Sequence, residues 1–149
     1  MAIDINYNAI KAEIASIIDL AATGAIVQVE GDLTIDSGTT IIDVAMRRRT
    51  QHADQSLSYA TRQRYLLEME ITIWAAAVEG SLATQMRDRI IEQVEGALMA
   101  NRTINGMAET MILKGGDMLL GESEKMSGLY VAAGQVLADV DVVKIIDPV

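Results

Sequence analysis

Carboxylates stand two residues apart at Glu68 and Glu70, and again at Asp139 and Asp141. In a strand that spacing puts both members on one face, where a pair could hold a cation or share acid and base roles. The same spacing also describes an ordinary solvated strand face. Asp32 and Asp36, beside Gly31 and Gly38, could form a weak Ca²⁺ or Mg²⁺ loop, but they do not follow the EF-hand spacing. Gly115-Gly116-Asp117 and Gly121-Glu122 resemble phosphate loops only in glycine content. They match neither GxxxxGK[ST] nor GxGxxG, and their acids oppose a phosphate. The single histidine, His52, lies in a polar stretch, without the rigid neighbouring nucleophile or carboxylate that catalysis requires. The triplet Arg47-Arg48-Arg49 remains. By strand alternation Arg47 and Arg49 share the polar face, and Arg48 lies past the apolar stretch at the strand end. Such a terminus either keeps a sheet edge soluble or grips carboxylates of a neighbouring subunit. No nucleophile–base pair is recognisable, so neither catalysis nor a metal or cofactor is expected, and the residues favour a structural or binding module.

The elements that carry these residues show in the hydrophobic periods. From Arg64 to Trp74 the chain alternates, with Tyr65, Leu67, Met69, Ile71 and Ile73 on one face and Arg64, Glu68, Glu70 and Thr72 on the other. From Ser81 to Asn101 the period becomes helical. Leu82, Met86, Ile90, Val94 and Leu98 form the dry stripe, and Arg87, Asp88, Glu92 and Glu95 fall mostly on the wet side. A first helix is expected over about 8–21, capped by Asn6 or Asn8 and closed near Gly24. Strands are expected at 25–30, from Thr40 to Arg49, and at about 107–114, 129–133 and 135–146. The polar run 50–61 reads as the tip of a long hairpin. The order α-β-β-β-α-β-β-β predicts one α+β domain over 1–149, an antiparallel-rich mixed sheet flanked by two main helices.

The composition narrows the function further. Half of the 149 residues are apolar, but there is no Phe, so Ile, Val, Leu, Ala and nine Met must build the core. There is no Cys, which excludes disulfides, thiol catalysis and Cys-based zinc sites. The N-terminal MAIDINYNAIKAEI has no basic segment before an apolar one, so no secretory signal is expected. No apolar run approaches the roughly 20 residues that span a bilayer, and a membrane partner is not expected. A net charge of −9 repels nucleic-acid phosphates.

The hairpin with its polar tip TQHADQSLSYAT, the return strand RYLLEMEITIW and the helix LATQMRDRIIEQVEGAL are followed by INGMAETMILKGGD and GLYVAAGQVLADVDVVKI. In order and texture this chain resembles the tail terminator proteins of long-tailed bacteriophages. The likeness covers most of the chain and lies in element order, not in an invariant motif. Neck and completion proteins look similar. The resemblance implies a virion protein, assembled in the bacterial host cytoplasm, that closes into a ring, usually six-fold, on the last ring of the tail tube. It implies partners in further copies of itself, the tube protein and a head or neck connector, with DNA passing the lumen without specific binding. It implies no catalysis. Exposure and charge nominate Gln51, His52, Asp54, Gln55, Tyr59 and the Arg47/Arg49 face for the contact, with Asp139 and Asp141 across the joint. A cation- or small-molecule-binding module on the acidic strand faces is the alternative from a different class.

Overall fold

The computed structural model describes residues 2–3, 5–22, 24–51, 62–122 and 128–146. In chain order the elements are β1 (Ala2–Ile3), α1 (Tyr7–Ala21), β2 (Ile26–Val29), β3 (Thr40–Gln51), β4 (Arg62–Ala77), α2 (Gly80–Met99), β5 (Thr110–Gly115), β6 (Met118–Glu122) and β7 (Tyr130–Ile146). The fold is α+β, in the order read from the sequence with a two-residue strand added in front. The strands form one seven-stranded sheet in the order β1-β7-β4-β3-β2, and β5 and β6 pair the same side of β7 as β1. All pairs are antiparallel except β2 with β3.

Alternation makes one face of this sheet aliphatic. Ile42 and Val44 of β3, Leu67, Met69, Ile71 and Ile73 of β4, and Val136, Ala138, Val140 and Val142 of β7 are all buried. They pack beneath Ile10, Ile14, Ile17 and Ile18 of α1 and Ile90, Val94 and Leu98 of α2 in one cluster. α1 starts where the Asn6 side chain accepts from Ala9 N–H at 3.0 Å, satisfying one of the free donors of the first turn. Past its C-terminus Gly24 takes a left-handed φ of +81°, a conformation glycine adopts without steric penalty.

Three sequence expectations shift. First, β7 is one strand where two were expected at 129–133 and 135–146. Gly134 sits between them, but β4 and β6 hold it from both sides, opposite Ile73 and Met118, and the ladder continues through it. Second, Met118–Glu122 forms a strand where none was expected; every residue in it is exposed, so it shows no dry period. Third, the buried stripe of α2 is Ala83, Arg87, Ile90, Val94 and Leu98, with Leu82 left 44% exposed. Arg87, expected on the wet side, is inside.

Lys11 is the other buried cation among the described residues. Its ammonium meets Glu30 Oε1 at 2.9 Å, and the same oxygen accepts from Met46 N–H at 3.3 Å, so α1 is tied to the turn after β2 and to β3. The Lys11 hydrogen bond first, then the Met46 N–H, hold the Glu30 carboxyl below its ordinary range.

Two outcomes test this layer. Ile71→Asp places a charge at a fully buried position, and should cost more than about 3 kcal/mol in denaturant unfolding. For Glu30 the sign follows from linkage. A carboxyl depressed by folding stabilises above its unfolded pKa, and that contribution disappears as pH falls through the lower folded value. Glu30→Gln should therefore flatten the loss of thermal stability as pH drops below the ordinary 4.5. The effect is small, because the glutamate side chain is 45% exposed and screened.

Candidate assembly surface

Among the described residues the second face of the sheet carries no helix. β4 presents Glu68, Glu70, Thr72 and Trp74 there, and β7 presents Gln135, Leu137, Asp139 and Asp141, all half-buried. The crossover between the parallel strands β2 and β3 lies over one corner, where Asp43 Oδ1 accepts from Gly31 N–H at 3.0 Å and Gln28 Nε2 at 3.2 Å.

Alternation forces like charges together at the centre of this face, since Glu68 and Asp139 are direct cross-strand partners. Like charges in that relation repel. The outer strands supply the compensation. Arg47 Nη2 and Arg48 Nε approach Glu68 at 4.0 and 3.6 Å from β3, and Lys114 Nζ reaches Asp139 at 2.7 Å from β5. Four strands thus carry a transverse row of cation, anion, anion, cation. Glu70 accepts from Gln135 Nε2 at 2.7 Å. A cleft of about 50 Å³ opens among Arg47, Glu68, Lys114 and Asp139. That volume admits water and is far below what a metabolite fills. Among the described residues no three acids or histidines gather to hold a metal ion. The chemistry this cleft displays is ion pairing.

The nominated residues separate in space. A register shift between Met46 and Arg48 turns the strand. Arg48 comes opposite Glu68 on the open face, and Arg49 comes opposite Leu67 on the helix side. There its Nη1 donates to Tyr7 Oη at 2.8 Å, and its guanidinium lies 5.6 and 5.9 Å from the Tyr7 and Tyr65 ring centres. The Tyr7 hydrogen bond is also the first cause that raises the Arg49 pKa above its ordinary value. The shared Arg47/Arg49 face is therefore corrected: a bulge adds one residue and reverses the sidedness after it. Asp139 and Asp141 do share a face, the open one, but Asp139 already has Lys114 as its partner within the chain. Thr50 and Gln51 belong to β3 and are exposed. His52, Asp54, Gln55 and Tyr59 lie outside the described residues.

Two residues that position this surface escape the sequence patterns. Lys114 closes the strand expected at about 107–114, but no local pattern pairs it with Asp139. Arg87 reaches under the β6 corner, where it donates to Leu119 O at 3.0 Å, Ala133 O at 3.5 Å and Asp88 Oδ1 at 2.9 Å. Gly134 leaves the room for its stem. A Cβ there would come 2.6 Å from Ile91 Cδ1, 3.0 Å from Met118 Sδ and 3.3 Å from Arg87 Cδ.

No family model and no curated protein sequence matches this chain. Among solved structures, a chain of the cryo-EM structure of an extracellular contractile injection system, PVC sheath/tube terminator in extended state, matches 95% of it at 14% identity with a TM-score of 0.52. The present chain spans 57% of that chain's length. The two share a fold. A chain of the virion of a native gene transfer agent particle matches 86% of this chain and 84% of its own at 13% identity, but its TM-score of 0.31 is too low to bear on the fold.

Arg87→Ala should destabilise by about 2–4 kcal/mol, since it removes three hydrogen bonds and the packed stem together. Hydrogen exchange should rise most in β6. Uniform protection across 118–122 in the variant would remove Arg87 as the anchor of that strand.

Proposed function

We propose that this chain is a structural subunit of a phage-tail-related particle, a ring-forming cap on the end of the tail tube. The fold likeness over 95% of the chain to a chain of a sheath/tube terminator structure is the observation that carries this reading. The resemblance in element order supports it independently. So does a surface built for contact instead of chemistry: a sheet face without helices, its charges arranged in rows, and a cleft too small for a substrate. In the ring, copies of the chain block the growing end of the tube and present a surface to the head or neck. The particle is the site of action. The hairpin end, with Arg47, Gln51 and the 52–61 segment that includes His52, Asp54, Gln55 and Tyr59, supplies the contact with a neighbour or with the tube. Arg49 holds that end against α1, and Asp139 and Asp141 belong to the face beside it. A net charge of −9 lets DNA pass without being retained.

Negative-stain microscopy of the purified protein, alone and mixed with tail tubes, tests the proposal. Closed rings of uniform subunit number are expected, seated at one end of the tube. Binding to a head connector but not to the tube would move the protein to the neck. Single particles that ignore both partners would overturn the assignment.

A further inference from the structure

Among the described residues the sheet has two free edges, β2 on one side and β1, β5 and β6 in turn along β7 on the other, and the β2 and β6 stretches are apolar. At one side β2 pairs only β3, and Ile26 and Val29 are 55% and 38% exposed. At the other side β6 pairs only β7, and Met118, Leu119 and Leu120 are 48%, 68% and 53% exposed. Soluble proteins usually blunt such edges with charge, proline or a covering loop, because an open edge invites another strand. Here the long central strands are covered and the short outer ones are left greasy.

The registers place the two edges at the same height. Ile26 pairs Ile41, Ile41 pairs Trp74, Trp74 pairs Ala133, and Ala133 pairs Leu119. These five residues make one apolar row straight across the open face, with an exposed side chain at each end. The next row, on the helix face, runs Val27, Ile42, Ile73, Gly134, Met118. The strand directions are opposed as well. β2 runs with β3, and the alternation through β4 and β7 leaves β6 pointing the other way. A rotation about an axis parallel to the strands, with no rise, therefore brings β6 of one copy beside β2 of the next as an antiparallel pair. Zero rise is the condition that separates a closed ring from a filament.

We infer that adjacent copies join by antiparallel pairing of β6 with β2 of the next copy, Leu119 opposite Ile26 and Met118 opposite Val27, an assignment that rests on the ring proposed above. The occupant of each edge is a second copy of this chain. Sidedness matches, since Leu119 and Ile26 lie on the open face and Met118 and Val27 on the helix face. Charge matches too. Asp117 comes level with Gln28 and not with an acid, and Gly115, next to Lys114, comes level with Glu30. The hairpin end then points along the ring axis, where a tube or a neck would sit.

The chain has no cysteine, so introduced thiols report the contact without background. Directly paired residues of neighbouring antiparallel strands lie about 4.5–5.5 Å apart at Cα, within disulfide range. Ile26→Cys and Leu119→Cys proteins are mixed, assembled with and without tail tubes, and oxidised. A covalent dimer is expected from the mixture and none from either protein alone, and the double variant should give a ladder that ends at the subunit number of the ring. Rings seen by microscopy with no 26–119 link, or with 26–26 or 119–119 links, would overturn the edge pairing and leave the ring reading intact. Linked open ladders that never close would keep the pairing and overturn the ring. Monomers under both conditions would overturn both. Leu119→Lys gives the second readout. Leu119 is 68% exposed, so the melting temperature should stay within about 2 °C of the parent, while rings are lost. Undiminished rings from a folded Leu119→Lys protein would sink the pairing.

Discussion

Ten aliphatic and methionine side chains of β3, β4 and β7 must leave water on one side of the sheet, and two helices are available to cover them. The central strands are long. At about 3.3 Å per residue the 16 residues of β4 run roughly 50 Å, whereas the 20 residues of α2 reach about 30 Å. The helices therefore cover the middle of one face and nothing of the other. Without Phe, this core depends on close interdigitation of branched side chains. The charged face and the exposed short outer strands follow from that one-sided cover.

Charge on the open face is then a consequence of the fold. Alternation puts Glu68 beside Asp139, and the pair is tolerable because β3 and β5 bring cations to its two flanks. The bulge after Met46 divides the arginine triplet between two tasks. Arg47 and Arg48 serve the face, and Arg49 crosses to lie against Tyr7 and Tyr65, tying the hairpin to the first turn of α1. With Glu68, Glu70 and Asp139 engaged within the chain, the open face is a patterned surface instead of a uniformly repelling one.

Much of this was legible in the sequence, and the boundary of legibility is physical. Leu67, Met69, Ile71 and Ile73 are legible because a half-buried strand writes its face at period two. Asn6 is legible because its side chain does a local task, three residues from its partner. β6 is not, since all five of its residues are exposed and an edge strand without a dry face leaves no period. Arg87 is not, because a buried guanidinium that binds carbonyls 32 and 46 residues away has the same letter as a solvated one. Arg49 defeats alternation because one inserted residue reverses parity without a glycine to mark it. Of the nominated contact residues, then, the position of Arg47 on the polar face follows from local pattern, and the partners of Asp139 and Arg49 depend on strands far away in the chain.

Arg87 also explains how so short an edge strand keeps its height. β6 has five residues, no partner on its outer side among the described residues, and a glycine at Gly121. Left to its ladder with β7 alone, it would fray or slip, and a slip of one residue would move Leu119 from the open face to the helix face. The guanidinium prevents this by fixing the Leu119 and Ala133 carbonyls together, two residues that are register partners. Desolvating a guanidinium is costly unless its donors are satisfied. Here Asp88 takes the Nε donor and the two carbonyls take Nη1, and Gly134 keeps the passage for the stem open. In the proposed ring, the level of one edge against the other decides between closure and a spiral. A buried arginine that locks the register of the outermost strand is thus where side-chain packing inside one subunit would set the geometry of the assembly.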